Sequence, residues 1–282
     1  MNRRGFTLTE LLVALTVMSV AGIALIRLLT ATTRFVSLHD TMLSARQGAR
    51  AALNTMVAEL GVVGDSGLTA ATADGKSITV RPPYAFGVTC RHASSQSFVG
   101  SLMPADSVMY ASAVVGGFFW RRLTSKYAHV PGPITVAPSD DAAKCDADSV
   151  RIVPGGTRVV VSGYPASFFP ESLAVFMLYQ VVTYRFGDSA TLPGRIGLWR
   201  QAGGNADEEL VAPFDGAAGF GFLVGGPNAA TLTVENAPPA DLNRVRGLEL
   251  RLFGQSEVPA QGSTAPQVFR LKTRVMFSNK TY

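Results

Sequence analysis

The sequence predicts an α+β protein in which a long N-terminal helix, first transmembrane and then amphipathic, packs against a mostly antiparallel, β-rich globular domain. Two observations support this fold class. An apolar run near the N-terminus continues into a segment with helical periodicity that reaches Leu60, and no proline interrupts it. After residue 65 the helical period disappears, and short β-branched and aromatic runs alternate with turn residues. We therefore expect one helix followed by one β-rich body over residues 65–282.

The composition points to a membrane segment or a strand-rich body, because 47% of the 282 residues are hydrophobic and only 16% are charged. The net charge is +5, and Arg3 and Arg4 supply two of these charges. The remaining +3 (5 − 2) gives little support for a nucleic-acid partner. The three histidines are far apart in the chain, and no nucleophile-elbow, Walker or zinc-protease motif occurs. We expect no enzyme activity, no cofactor and no metal site.

The N-terminal half of the helix is predicted to cross a membrane. No charged residue occurs from Leu11 to Ile26, and residues 6–29 together form about 36 Å of helix, which spans a bilayer. Arg3 and Arg4 would remain in the cytoplasm, so the body would lie on the outer side of the membrane. We expect the chain to be a single-pass membrane protein with its body outside the cytoplasm.

Glu10 is the unusual residue of this segment, because an ionised carboxylate is costly inside a membrane. Its best partner is a positive charge at a similar depth on another subunit. Cleavage between Gly5 and Phe6 would create an ammonium group at Phe6, and glycine suits a cleavage site because it has no side chain to obstruct a peptidase. We therefore expect Glu10 of one subunit to pair with Phe6 of its neighbour.

Three other interpretations of the N-terminus remain open. It could be a plain signal anchor that happens to contain Glu10. It could be a secretory signal in which Ser19-Val20-Ala21 forms the cleavage site, although Glu10 then lies near the start of the hydrophobic region. It could also be the core helix of a soluble protein, which the flanking arginines disfavour.

After Arg27 the helix is predicted to become amphipathic over residues 30–62. Apolar residues recur at steps of three or four and predict a stripe that packs on the body. The members of this stripe are Phe35, Leu38, Met42, Ala45, Ala49, Leu53, Met56 and Leu60. Gly61 is expected to end the helix, which would run from Phe6 to about Leu60, and Gly22 is a point where it could bend.

The body is predicted to consist of short antiparallel strands. The last two alternate apolar and polar residues most regularly, which indicates one buried and one solvated face. The predicted strands are Ser77–Arg81, Ser107–Ala113, Gly117–Leu123, Ser149–Val153, Arg158–Gly163, Ala174–Phe186, Gly194–Gln201, Gly219–Val224, Val245–Phe253 and Val268–Phe277.

The two cysteines, Cys90 and Cys145, both follow the membrane segment and would lie outside the cytoplasm, where disulfides persist. We expect a bridge between them, which would stabilise the body by roughly 3–4 kcal/mol in the chain-entropy model. Two separate free thiols are the alternative.

Two further clusters of residues have both a functional and a purely structural interpretation. Asp140, Asp141, Asp146 and Asp148 surround Cys145 and could bind calcium, but the ligand spacing of a known loop is missing, so a solvated acidic loop is favoured. Arg121-Arg122 follow Phe118-Phe119-Trp120, a combination that can bind single-stranded DNA by stacking. A strand with Trp120 inward and Arg121 outward explains the same residues.

The N-terminus resembles the class III leader of type IV prepilins and of type II secretion pseudopilins. The resemblance rests on Arg4-Gly5-Phe6-Thr7-Leu8-Thr9-Glu10 followed by Leu11-Leu12-Val13. It implies that residues 1–5 are a leader removed after Gly5 by a prepilin peptidase, and that Phe6 is then N-methylated. The implied partners are major and minor pilins and an inner-membrane assembly platform, and the implied destination is a pilus or pseudopilus filament at the cell surface.

Several body segments resemble PilW-like minor pilins and J-type pseudopilins. They are Asp148–Val153, Val182–Phe186 with Gly197–Arg200, Leu210–Gly216 with Phe220–Phe222, Arg244–Leu250 and Phe269–Val275. The resemblance implies a minor pilin that takes part in pilus assembly or initiation and supports adhesion, twitching motility or DNA uptake. The alternatives are a J-type pseudopilin of a type II secretion system and, from another class, an exported soluble binding protein or enzyme.

Overall fold

The structure, a computed structural model, describes residues 7–106, 110, 113–121, 127–139, 156–168, 174–225 and 231–278. Within these residues it contains one long helix and sixteen strands, and every strand pair is antiparallel. The helix packs against one of two sheets. The predicted α+β fold class is therefore confirmed.

The helix α1 runs without interruption over Leu8–Leu60. Thr7 precedes it as the N-cap, and Gly61 follows it, where the Gly61 backbone N–H donates to the carbonyl of Val57 at 3.0 Å. The helix passes through Gly22 as a continuous element, because a single glycine lowers helix propensity without removing a backbone hydrogen bond. The sequence-based bounds agree with the observed bounds to within two residues.

The strands divide into two sheets of nine and seven strands among the described residues. The first sheet has the order β1-β2-β10-β11-β12-β15-β13-β14, with β16 paired to β15, and the second has the order β6-β5-β9-β3-β4-β8-β7. In chain order the strands are β1 (Leu68–Ala71), β2 (Ser77–Val80), β3 (Pro83–Ser94), β4 (Ser97–Leu102), β5 (Gly117–Arg121), β6 (Tyr127–Pro131), β7 (Thr135–Pro138), β8 (Arg158–Ser162), β9 (Val175–Tyr179), β10 (Val182–Asp188), β11 (Ile196–Ala202), β12 (Glu208–Phe214), β13 (Gly219–Val224), β14 (Thr233–Glu235), β15 (Val245–Pro259) and β16 (Pro266–Met276).

The C-terminal part of α1 lies on the first sheet, mainly over β15 and β16. Small side chains make this close approach possible. Ala45, Ala49 and Ala52 are buried in the contact, and Gly254 on β15 lies so close to the carbonyl of Ala45 that a side chain at Gly254 would collide with it. Met56 then fills the space towards the end of the helix, where it is fully buried. The main apolar core is thus shared by α1 and the first sheet.

The predicted apolar stripe is only partly covered by the body. Phe35, Leu38 and Met42 remain 69%, 42% and 39% exposed, so the prediction that the whole stripe packs on the body is wrong for these three residues. Leu38 and Met42 flank the buried Thr41 and do not face the body, whereas Phe35 lies beyond the end of the sheet. Its β15–β16 loop reaches the helix at Ser37, where the backbone N–H of Gln261 donates to the Ser37 hydroxyl at 3.0 Å, and no strand extends beyond it in the described residues.

An ion pair fixes the other end of the helix contact. Arg200 on β11 donates to the Glu59 carboxylate at 2.7 Å, and the Tyr184 hydroxyl on β10 donates to its second oxygen at 2.7 Å. Burial raises the pKa of Tyr184, so its hydroxyl keeps the proton that it donates. Three side chains from the helix and two strands therefore define where α1 ends on the sheet.

The second sheet encloses an aromatic core of its own. Phe98 contacts Phe118 and Phe176 edge to face, with ring centroids 5.5 and 5.1 Å apart, although these residues come from β4, β5 and β9. Because β9 and β3 lie between β5 and β4, the contact between Phe98 and Phe118 means that the sheet is strongly curved. Tyr164 also packs into this core, with its ring centroid 5.5 Å from that of Phe118.

All seven strands of the second sheet are inserted between two paired strands of the first. β2 ends at Val80, β10 begins at Val182, and these two residues pair directly. The segment that leaves the first sheet after β2 and the segment that returns to it before β10 lie side by side, since the Gln180 backbone N–H donates to the carbonyl of Pro82 at 3.2 Å. Val62, just after α1, lines a narrow space together with Phe119 and other residues of the inserted sheet. The insertion therefore lies at the C-terminal end of α1.

The predicted strands were correct for most of the first sheet and incomplete for the second. The predicted strand Ala174–Phe186 is in fact two strands, β9 and β10, which belong to different sheets. The predicted strands Ser107–Ala113 and Ser149–Val153 fall largely or wholly outside the described residues. Strands β1, β3, β4, β6, β7, β12 and β14 were not predicted.

The insertion predicts that the helix and the first sheet fold without the second sheet. Replacement of residues 81–181 by Asn-Gly would join Val80 to Val182 through a two-residue hairpin loop, which suits a directly paired position. We expect the shortened chain in detergent to unfold cooperatively on heating, as measured by far-ultraviolet circular dichroism.

The matched control removes residues 216–244, which carry β13 and β14 of the first sheet, and joins the ends through the same dipeptide. This variant should lose cooperative unfolding, because Phe220 and Phe222 are fully buried in the shared core. If the chain without residues 81–181 aggregates or unfolds without a transition, the division into a core and an insertion is wrong.

Candidate functional site

The first half of α1 is apolar on all sides and has no cover within the described chain. No residue from 8 to 40 is buried. Leu11, Leu12 and Val13, which point in three different directions, are 57%, 58% and 60% exposed. A helix with no polar face belongs in a protein core or in a membrane. Within the described residues, α1 is the one helix long and apolar enough to cross a membrane.

The hydroxyl groups in this half are already satisfied inside the helix. Thr16 donates to the carbonyl of Val13, and Ser19 donates to the carbonyl of Leu15, both at 2.8 Å. Thr30 makes the same kind of bond to Ile26 at 2.8 Å. Such bonds to the preceding turn remove the need for water, so these residues cost little in a hydrocarbon environment. The segment can therefore enter lipid or a bundle of helices without unpaired hydroxyls.

Glu10 closes a capping box at the start of α1. Its Oε2 accepts hydrogen bonds from the backbone N–H and the hydroxyl of Thr7, both at 2.9 Å, and its own backbone N–H donates to the Thr7 hydroxyl at 3.3 Å. The first turn of any helix leaves backbone N–H groups without partners inside the helix, and this reciprocal pair satisfies two donors at once. A carboxylate at this position also lies at the positive end of the helix dipole.

The capping box leaves half of the Glu10 carboxylate open. All hydrogen bonds to the side chain within the described residues go to Oε2. The residue is exposed, so Oε1 can accept a bond from a group on another molecule. The arrangement can therefore order the start of the helix and bind a cation at the same time.

The two residues of the predicted cleavage site, Gly5 and Phe6, lie outside the described residues, and cleavage between them stays a prediction. The predicted disulfide also stays a prediction. Cys90 is fully buried on β3 beside Val99, whereas Cys145 lies outside the described residues. Asp140, Asp141, Asp146 and Asp148, which surround Cys145, lie outside them as well.

The aromatic residues that suggested DNA stacking are buried. Phe118 and Trp120 pack into the core of the second sheet, and Phe119 packs on the opposite face with Tyr179. Arg121 points outward, with its guanidinium 5.6 Å from the centre of the Tyr127 ring. The interpretation with Trp120 inward and Arg121 outward is confirmed, and these three rings offer no face to a nucleic-acid base. Arg122 lies outside the described residues.

Sequence reasoning missed the partner of Glu10 inside its own chain. The signal was present, because Thr7-Leu8-Thr9-Glu10 has the spacing of a capping box. The position of Glu10 in a predicted membrane segment pointed instead to a partner on another subunit. The structure adds Thr7 to the site as the residue that orients the Glu10 carboxylate.

Residues 1–26 match the family model of the prokaryotic N-terminal methylation motif. This match covers the leader and most of the apolar half of the helix, and it does not extend into the body. It supports a type IV pilin-like protein that is processed at its N-terminus and anchored in a membrane. No curated protein and no solved structure gives a significant match to the chain.

Proposed function

We propose that this chain is a minor type IV pilin that takes part in assembling or initiating a pilus. One observation carries the proposal: the methylation motif lies on a helix whose first half is apolar on every side and uncovered by its own body. A surface of this kind needs lipid before assembly and neighbouring helices afterwards. The role is assembly rather than catalysis.

Maturation would begin at the cytoplasmic face of the inner membrane. A prepilin peptidase removes residues 1–5, and residues 6–29 hold the protein in the membrane with its body in the periplasm. An inner-membrane assembly platform then moves the subunit into a filament of major and minor pilins. The apolar half of the helix leaves the lipid at this step, and helices of adjacent subunits take over its burial.

The charge on Glu10 would select the position of the subunit in the filament. Cleavage creates an ammonium group on Phe6, and the ammonium group of a neighbouring subunit can reach the open Oε1 of Glu10. In surroundings without water this pair costs much less than a lone carboxylate. The capping box prepares the interaction, because Thr7 holds Oε2 and fixes the direction of the carboxylate.

The inserted sheet favours a minor subunit over the repeating one. It adds the strands of residues 83–179 at the C-terminal end of α1, which is opposite to the membrane half. A subunit that repeats along a filament must leave room for the next subunit, and this bulk restricts close stacking. The chain would therefore occur in few copies and support adhesion, motility or DNA uptake through the filament.

The first test measures the intact mass of the protein after expression with a prepilin peptidase. We expect the mature chain to begin at Phe6 and to carry one methyl group if the peptidase also methylates. Gly5→Val should leave the unprocessed precursor in the membrane, because a branched side chain obstructs an extended backbone in an active site.

The same measurement separates the alternatives. A chain that begins at Gly22 would identify an exported soluble protein and overturn the proposal. A J-type pseudopilin would share the Phe6 terminus, so a deletion strain distinguishes it: the proposal expects loss of pili with normal protein secretion, and the reverse result would assign the chain to a secretion system.

The second test separates the charge of Glu10 from its capping role. Glu10→Gln keeps an oxygen that can accept from Thr7 and removes the charge, whereas Thr7→Val removes the hydroxyl and keeps the charge. We expect Glu10→Gln to be processed normally but to enter filaments at least about tenfold less. A tenfold loss corresponds to about 1.4 kcal/mol, and removing one partner of a charge pair in surroundings without water costs about 3–5 kcal/mol. Immunoblots of sheared filaments, normalised to the membrane fraction, measure this.

Thr7→Val should have a smaller defect than Glu10→Gln, since loss of one cap costs about 1 kcal/mol and leaves the charge of Glu10 in place. If Glu10→Gln enters filaments as well as the unchanged protein, the charge pairing does not occur. If Thr7→Val has the larger defect, Glu10 acts through the cap alone.

A further inference from the structure

The last strand, β16, leaves one edge of the first sheet open. β16 pairs with β15 along nearly its whole length, from Gly247 opposite Met276 to Gln255 opposite Val268. Among the described residues, no strand pairs with its other edge. An exposed edge of eleven residues is long for a globular protein, because unpaired backbone groups can recruit a strand of another chain.

The direction of the backbone groups follows from the bonds at the two ends of β16. The N–H groups of Gln267 and Phe277 both donate towards β15, to the Ser256 hydroxyl at 2.9 Å and to the Arg246 carbonyl at 3.0 Å. Successive residues of a strand point to opposite sides, so the N–H and C=O groups of the even-numbered residues from 268 to 276 point to the open edge. Ser278 ends this series, since its N–H donates to the carbonyl of Gly61 at 3.1 Å.

The same even-numbered positions carry a row of cations. Arg270, Lys272 and Arg274 are all exposed and stand about 6.8 Å apart along the strand. Arg270 and Lys272 extend across the ring of Phe253, at 5.8 and 5.9 Å from its centre, so their stems cover an apolar floor. Glu249 lies 3.7 Å from Arg274 and offsets one charge of the three.

The helix lies beside the same edge, on the face opposite to this row of cations. The guanidinium of Arg46 lies 5.8 Å from the centre of the Phe269 ring on β16, which places Arg46 on the β16 side of α1. Arg50 follows one helical turn later on the same side and is exposed. Val57, two turns further along this side, remains 41% exposed. Because successive side chains of a strand alternate between faces, Phe269 faces α1 whereas Arg270, Lys272 and Arg274 lie on the other face. A strand added to this edge would therefore meet the helix on one face and the row of cations on the other.

The charge row decides which chain can occupy the edge. A second copy of β16 would set Arg270, Lys272 and Arg274 against the same cations, and like charges opposite each other destabilise a strand pair. A strand with carboxylates at alternate positions would instead meet a cation at each step. The charges therefore oppose self-association and favour an acidic partner.

We propose that the open edge of β16 is a docking surface that takes an extended acidic segment of another protein as an added strand. Backbone hydrogen bonds to the even-numbered residues of β16 would provide affinity, and alternate carboxylates against Arg270, Lys272 and Arg274 would provide specificity. The proposal does not depend on the pilin assignment, since it uses only the body and the adjoining part of α1.

The test measures binding of a fluorescent nine-residue peptide of alternating glutamate and valine to the full chain in detergent micelles, by fluorescence anisotropy. We expect saturable binding that weakens with salt, and no binding when lysine replaces glutamate. Two further acidic peptides carry backbone N-methyl groups on all glutamates or on all valines. Strand addition requires one of them to lose binding and the other to retain it, because only one set of N–H groups faces β16.

Variants of the protein complete the test. The double variant Arg270→Glu with Lys272→Glu should weaken binding at least about tenfold, whereas the matched reversal Arg121→Glu on the second sheet should leave it unchanged. Lys272→Pro should weaken binding more than Lys272→Ala, because proline removes an edge N–H that β15 does not use. Absence of binding, or equal binding of both methylated peptides, would overturn the proposal and leave the cations as protection against edge aggregation.

Discussion

The structure depends on one constraint: the first half of α1 is apolar on every side, and its own chain covers none of it. None of the 33 residues from 8 to 40 is buried in the described structure. Water is an unfavourable environment for such a surface, because each Å² of apolar area left in water costs roughly 25 cal/mol of free energy. The protein is therefore incomplete alone, and lipid or other subunits must supply the missing cover.

The second half of the helix, in contrast, is covered by the body and bound firmly to it. Ala45 and Ala49 allow α1 to approach Gly254 closely, and the ion pair of Glu59 with Arg200 fixes the end of the contact. A rigid connection of this kind links the position of the body to the position of the apolar half. The inserted second sheet leaves and re-enters this unit beside Pro82 and Gln180, so it can enlarge the subunit without altering the contact between α1 and the first sheet.

The parts of the fold that sequence predicted are those set by local patterns. The bounds of α1 followed from its apolar run and from Gly61, and the last two strands followed from strict alternation, as in Leu248, Leu250 and Leu252. The pairing of the second sheet could not be predicted, because it is long-range. The run Ala174–Phe186 looks continuous in the sequence, yet Gln180 divides it between two sheets. Likewise the cations of β16 were visible in the sequence, but only the topology shows that they line an open edge.

The most direct test of the central claim measures the surroundings of the apolar half in intact membranes. Single cysteines at Val17 and at Ser44 would be challenged with a water-soluble maleimide in intact spheroplasts, with the unchanged chain measuring the background from Cys90 and Cys145. The account predicts that Ser44→Cys reacts from the outer side and that Val17→Cys reacts only after the membrane is dissolved. Rapid labelling of Val17→Cys in intact membranes would show that water reaches this segment and would contradict the account.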